Sequence, residues 1–146
     1  MRLTQLNEEK QKLALERLQA DRSDYEPFLS KESIDIHYGK LAKGYVDRFN
    51  AGEGDADFNR AGAFLHNIYF PQLKEPAGSN NPRGASLMLI NSKYSSYDKF
   101  KSEVTKVAMG IQGSGWVYMA RNGEIKTIKN HAMRSDIVML IDWWEH

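Results

Sequence analysis

The spacing of apolar positions changes along this chain, and the change divides it. Leu3, Leu6, Leu13, Leu15 and Leu18 recur among charged side chains. That spacing predicts a polar, moderately amphipathic helix over residues 3–20, packed as an arm on a neighbour or on the main body. The stretch from Asp21 to Pro27 interrupts it. Ser30 then offers a helix cap, and Ile34, His37, Tyr38, Leu41 and Tyr45 follow at helical spacing, so a second helix is expected to about Asn50. Residues 51–57, rich in Gly and Asp, read as a loop. From Phe58 a third helix carries Ala61, Phe64, Leu65, Ile68 and Tyr69 on one side, and Pro71 stops it.

Lys74 to Gly84 contains Pro76, Gly78, Asn80, Asn81 and Pro82 and is the best linker. A further helix is expected from Ser95 to Met109, with Tyr97, Phe100, Val104 and Val107 on its apolar side. The pattern then shortens. Gly115 to Ala120 and Glu124 to Lys129 read as strands around Arg121-Asn122-Gly123, and Asn-Gly between two such runs is a hairpin signal. Ile137 to Ile141 reads as a third, buried strand. Helices first, then a helix with a small antiparallel sheet, make an α+β pattern. The expected division is a helical extension over 1–24, a helical-hairpin lobe over 25–76, and an α/β lobe over 77–146 with three antiparallel strands.

Composition narrows the function. With 146 residues, 41% hydrophobic and 27% charged, the chain suits one ordinary globular domain or two small lobes. A net charge of +1 gives no case for nucleic-acid binding. The chain contains no cysteine, which excludes disulfides, thiolate metal sites and cysteine nucleophiles. A transition-metal site would therefore need His, Asp or Glu. The first residues lack the apolar core of a secretory signal, and no window approaches the ~20 apolar residues of a membrane helix. A cytoplasmic protein without a membrane partner is the expectation.

Histidine occurs four times, at 37, 66, 131 and 146. A lone His on an apolar helix face is most often a hydrogen-bonded structural residue. Asp142 and His146, four apart, suit two ligands on one side of a turn, but acid–histidine pairs at this spacing are common. There is no His-Glu-x-x-His zinc helix and no nucleotide-binding glycine loop. Spacing alone leaves open both a structural reading and a His/carboxylate metal site.

The local words around these residues go further. His37-Tyr38-Gly39-Lys40, followed by Tyr45-Val46, resembles the first ligand helix of the iron/manganese superoxide dismutases. His66-Asn67-Ile68-Tyr69-Phe70 resembles their second ligand segment. Gly113-Ser114-Gly115-Trp116 matches the start of their sheet, and Asp142-Trp143-Trp144-Glu145-His146 matches their Asp-x-Trp-Glu-His signature. These words stand in family order, and the resemblance covers about residues 25–146. It implies a dismutase-like fold without the helices that follow this point in the family. It also implies superoxide as substrate and one iron or manganese ion per subunit, held by His37, His66, Asp142 and His146. Zinc is set aside, because it cannot cycle between redox states.

The same resemblance assigns further roles. Tyr45 falls on the tyrosine that lines the substrate entrance and joins the proton relay. Trp116 and Trp144 fall on the walls of the metal pocket. Glu145 falls on the glutamate that crosses the family's dimer interface, implying a homodimer or higher oligomer. Family members hydrogen-bond the metal-bound solvent from one of two positions. One is Gly62 here; the other is reached at His131, which is therefore the implied donor. Leu41 and Ala42 replace two histidines of the family's entrance. The alternative to an active dismutase is a metal-binding subunit that reuses the fold as a scaffold within a larger assembly.

Overall fold

The computed structural model describes residues 12–78 and 80–143. The Ser30 hydroxyl accepts the Ser33 N–H at 3.0 Å and so satisfies one of the free donors at a helix start. From there a continuous helical rod runs in three pieces: α1 (Lys31–Ile36), a π-helical stretch (His37–Ala42) and α2 (Lys43–Ala51). Gly52, in the left-handed region at φ 71°, ends it, as glycine can at little steric cost. Asp55 caps α3 (Ala56–Tyr69) by accepting the Phe58 N–H at 3.0 Å. At Pro71 the chain tightens into a 3₁₀ turn, Phe70–Gln72.

The second lobe begins with α4 (Gly84–Tyr94) and α5 (Tyr97–Met109), the latter capped by Ser96, which accepts the Lys99 N–H at 3.1 Å. Three strands follow: β1 (Gly115–Ala120), β2 (Ile125–Lys129) and β3 (Ile137–Asp142). Their order is β2-β1-β3, antiparallel throughout. The expected hairpin is present as a three-residue loop. Gly123 at φ 87° donates to the Ala120 carbonyl at 2.8 Å, and Ala120 donates to Glu124 at 2.8 Å, which is the bulged form such loops favour.

Period two along β1 explains the layers. Trp116, Tyr118 and Ala120 join Leu65, Ile128 and Leu140 in one core, with Phe64, Ile68 and Tyr69 of α3 packed against it. Met119 points the other way, into a core with Ile90 of α4 and Phe100 of α5. The sheet is thus a partition with α3 on one face and α4 and α5 on the other. All six β1 residues are buried.

Two expectations need correction. Residues 12–20 form no helix; they run as an extended strap across the helical lobe. Asn50 clamps Leu13, accepting its N–H at 2.8 Å and donating to its carbonyl at 2.9 Å. Asn67 accepts the Glu16 N–H at 2.8 Å and donates to the Ala14 carbonyl at 2.8 Å. These amides satisfy backbone groups that a helix would have paired internally, and Leu15 and Leu18 pack on the core around Tyr25, Ile34 and Phe70. The rest of that expected helix, residues 3–11, lies outside the described residues. The second correction is α4, which the spacing did not predict: its apolar residues do not gather on one face, so it carries no amphipathic signal.

Candidate metal centre

Distant parts of the chain meet where α1, α3 and β3 converge. His37 opens the π-helical stretch, His66 lies near the end of α3, and Asp142 closes β3. Register fixes Asp142. It pairs across the sheet with Trp116, and it shares a face with Leu140, which is packed in the core beneath α3. Gln72 holds the outer edge of β3: its amide accepts the Leu140 N–H at 2.8 Å and donates to the Leu140 carbonyl at 2.9 Å.

The His37 Nε2 lies 2.8 Å from Asp142 Oδ2, and His66 Nε2 lies 3.7 Å from the same oxygen. One ligand-type atom from each of the three falls within 4.8 Å of the others. His66 is fully buried, and its Nδ1 donates to the Gly62 carbonyl at 2.6 Å. The neutral ring therefore carries its lone pair on Nε2, the nitrogen that faces Asp142. Such a backbone bond fixes the tautomer and orientation of a ligating histidine. Ligands bound to one ion at ~2.1 Å stand no more than ~4.2 Å apart, and both measured separations to Asp142 meet that condition. Imidazole and carboxylate donors without sulfur suit a first-row transition ion. The donor chemistry of the three side chains and the two separations to Asp142 fit such an ion.

Aromatic rings enclose the cluster. Trp116 meets His66 edge to face at 4.9 Å, and Phe70 approaches His37 at 4.9 Å. Tyr45 stacks on His66 at 5.4 Å. That approach needs Gly62, where a Cβ would meet the Tyr45 ring at 2.7 Å. Asn130 ends the turn after β2 at φ 52°, and the buried His131 follows it. The indole N–H of Trp116 donates to His131 Nδ1 at 3.1 Å. A neutral His131 must then carry its proton on Nε2 and donate it to the Tyr45 hydroxyl, 2.8 Å away. Burial pushes the Tyr45 phenol above its ordinary value; Arg48 partly offsets this and Asp142 adds to it. Tyr69, beside His37 at 5.4 Å, is pushed up to about 12 by burial and then by Asp142.

Six of the nine site residues expected from the sequence therefore come together: His37, His66 and Asp142 as the cluster, with Tyr45, His131 and Trp116 around it. Trp144, Glu145 and His146 lie outside the described residues. Tyr69, Phe70 and Phe58 are neighbours that the sequence did not single out for the site. For Tyr69 a signal existed, because it follows His66 by three on one helix and so shares its side. A cleft of about 470 Å³ also reaches His37 and Asp142 from the surface, between Ile36, Leu41, Tyr69 and Trp143.

Known proteins share sequence with this chain. A profile of "Iron/manganese superoxide dismutases, C-terminal domain" matches residues 82–146. The chain is similar to the superoxide dismutase [Fe] of Sulfolobus acidocaldarius, at 32% identity over 83% of this chain and 72% of that protein. It is similar to the superoxide dismutase [Mn/Fe] of Porphyromonas gingivalis, at 33% identity over 82% of this chain and 76% of that one. A superoxide dismutase [Fe] of Pyrobaculum aerophilum aligns at 29% identity over 83% of this chain and 71% of its own length.

Proposed function

This chain belongs to the iron/manganese superoxide dismutase family, and from that membership we propose that His37, His66 and Asp142, joined by His146, hold the ion at which it disproportionates superoxide to dioxygen and hydrogen peroxide. The observation that carries the site assignment is the convergence of three ligand-type atoms within 4.8 Å from the middle of the helical rod, a helix end and a strand end. One iron or manganese ion is the cofactor. When bound, it supplies one-electron chemistry, taking an electron from one superoxide and returning it to a second.

The chain's own residues then have defined tasks. His66 is locked through Nδ1 to Gly62, so that Nε2 alone is available as a donor atom. Tyr45 accepts a hydrogen bond from His131, which leaves its own O–H free to point elsewhere. With its pKa raised by burial, that phenol keeps its proton at neutral pH and can offer it to the peroxide product. Trp116 holds His131 in the tautomer this requires. Trp116, Phe70 and Tyr69 keep the surroundings apolar, which strengthens every charge interaction at the site.

Among the described residues no helix is long and apolar enough to cross a membrane. The proposal extends to a cytoplasmic homodimer with Glu145 at its interface, which sedimentation of the metal-loaded protein checks. For function, metal content and superoxide consumption are measured on wild type and on Asp142→Ala. The expected result is about one iron or manganese per chain with turnover in wild type, and at least a tenfold loss of metal affinity in the variant. Full metal loading with no turnover above free metal would sink the catalytic reading. Unchanged affinity in Asp142→Ala would sink the ligand assignment.

A further inference from the structure

The sheet has two edges, and they are finished differently. On β3 the Gln72 amide occupies the outer edge, accepting the Leu140 N–H and donating to the Leu140 carbonyl, which blocks strand addition there. Edge strand β2 has no such plug. Ala120 donates to the Glu124 carbonyl and Asn130 donates to the Ser114 carbonyl, each at 2.8 Å, and these bonds fix which β2 residues turn towards β1. Bonding direction alternates along an antiparallel ladder. Lys126 and Ile128 therefore bond inward, while Ile125, Thr127 and Lys129 turn their backbone groups outward. Thr127 and Lys129 are exposed, and among the described residues no group bonds the outward Thr127 backbone.

Beside this edge lies a groove of about 370 Å³, walled by Val107, Gly110 and Ile111 at the end of α5 and by Thr127, Ile128 and Lys129 of β2. Lys129 is the charged residue of its lining, so this end of β2 is basic. The other end is acidic. There the Tyr94 hydroxyl donates to the Gly123 carbonyl at 2.6 Å. Its phenol is pushed up by burial and further by Glu103 and Glu124, against a bond from the Ile125 backbone, so both acids stand near the Ile125 end. A strand that runs from acidic to basic is complementary to its own reversed copy. With a two-fold axis at Thr127, Ile125 meets Lys129 and Lys126 meets Ile128. Edge lysines ordinarily discourage pairing, but in this register each faces an uncharged residue, and Glu124 approaches the partner's Lys129. Residues opposite each other in a ladder share a face, which places the partner's Ile125 beside the groove of Val107 and Ile111.

We propose that β2 is a self-association edge: two copies of this chain pair their β2 strands antiparallel about Thr127, joining two three-stranded sheets into one of six strands. Thr127 exchanges two backbone bonds with its own copy, and Ile125 of each chain lies over the groove of the other. The inference does not rest on the dismutase reading, and the contact is separate from an interface at Glu145. Because the edge is short, the pairing is weak and dissociates on dilution.

The test is sedimentation of the metal-loaded full chain over a range of concentrations, as Thr127→Pro, Lys129→Glu and the double variant Glu124→Lys/Lys129→Glu. All are made in a Glu145→Ala background, so that only the β2 contact is read. Proline at 127 spares the ladder to β1, because the N–H it removes faces outward. Thr127→Pro weakens self-association about tenfold or more. Lys129→Glu weakens it about 3- to 10-fold, and the double variant recovers most of the loss. The chain has no cysteine, so Thr127→Cys carries a unique thiol. Opposed residues of a bonded pair stand ~5.5 Å apart at Cα, within reach of a disulfide. Mild oxidation therefore links Thr127→Cys to its copy at least about tenfold faster than Thr105→Cys, which is exposed on α5. Equal association with and without Thr127→Pro overturns the proposal, and so does equal cross-linking at the two positions. If Glu145→Ala stays monomeric while an alternating Val-Glu peptide binds it and not its Thr127→Pro form, the edge takes a foreign acidic strand and self-pairing is overturned. If Thr127→Pro fails to fold, the charge exchange and the two cysteine variants decide.

Discussion

The helical half of the molecule, residues 12–72, and the sheet half, residues 84–143, are held together by different means. In the helical half the long-range polar ties run from side chains to backbone. Asn50 and Asn67 grip the strap, Gln19 donates to the Pro71 carbonyl, and the Tyr38 hydroxyl donates to the Glu16 carbonyl. In the sheet half the ties are the strand ladders themselves, built around a wholly buried β1. Side-chain ties can be cut one at a time, whereas a ladder is cooperative and its register is all or nothing. The site draws on both. His37, Tyr45 and His66 are aimed by helical spacing and by close helix packing. Asp142, Trp116 and His131 are aimed by register and by the turn that follows a strand. Cutting one side-chain tie therefore leaves the rest of the helical side in place, except where two helices are in direct contact, whereas a register slip displaces the whole sheet side.

The largest expected effect comes from Gly62, where the helical side has no slack. In Gly62→Ala the new methyl would stand 2.7 to 3.0 Å from three atoms of the Tyr45 ring, far inside contact distance. Tyr45 must move off His66, which breaks its bond from His131. Overpacking of this kind costs about 1–3 kcal/mol. Loss of a group that orients a metal site costs about tenfold or more in activity. Thermal unfolding and turnover should therefore both fall, while the sheet-side bond between Trp116 and His131 survives. Wild-type turnover in this variant would mean that Tyr45 is not held where α3 places it.

A smaller effect is expected at the strap. Asn50→Ala removes the two bonds to Leu13, at about 1 kcal/mol net for each, giving a loss of about 1–2 kcal/mol. Limited proteolysis should then cut residues 12–20 sooner, with metal content and turnover unchanged. A loss of metal in this variant would show that the two halves are coupled through the strap, and the contrast drawn above would fail.

How much of this could be read in the sequence follows the same division. Long periodic segments were legible: the rod from residue 31, α3, α5 and the hairpin at Asn122-Gly123 each carried its own local signal. The strap was not, because leucines among charges fit a helix as well as an extended chain. What decides is a pair of amides, Asn50 and Asn67, dozens of residues away. Helix α4 was missed because it lacks an amphipathic face. The π-helical stretch that begins on His37 has no sequence signal, though such stretches often mark functional sites. Short words singled out His37, His66, Asp142, Tyr45 and Trp116, and a position after the hairpin singled out His131; the structure brings these six together. The words did not reveal that Gly62 makes room for Tyr45, nor that Arg48 lies across it. Arg48 follows Tyr45 by three residues, the spacing that brings side chains together on a helix, but which of its neighbours it would cover depends on how α2 and α3 pack.

The smallest expected effect is acid sensitivity at the tie between the turn Arg22–Tyr25 and α1. Asp35 is hydrogen-bonded by Lys31 at 2.7 Å and by Arg22 at 2.8 Å, which hold its carboxyl below the ordinary value of 3.8. A carboxylate whose pKa is lower in the folded than in the unfolded chain stabilises the fold above its unfolded pKa and loses that contribution as pH falls through the folded one. The contribution is therefore complete near neutrality, and its loss begins as pH falls below about 4. Because the group is exposed, the effect is small and weakens with salt. Unfolding midpoints of wild type and Asp35→Asn should differ slightly at pH 7, and the gap should narrow as pH falls below about 4. The sheet half offers a parallel in Asp136, where burial pushes the carboxyl up and bonds from Lys126 and Tyr118 more than reverse it. Its register is kept by the ladder, so Asp136→Asn should leave the pairing of β1 with β3 intact. Asp35→Asn, by contrast, should loosen the turn that leads from the strap into the first helix, and hydrogen exchange over residues 22–36 should report it. A midpoint gap for Asp35→Asn that persists unchanged at pH 3 would mean that Asp35 contributes by packing and not by charge.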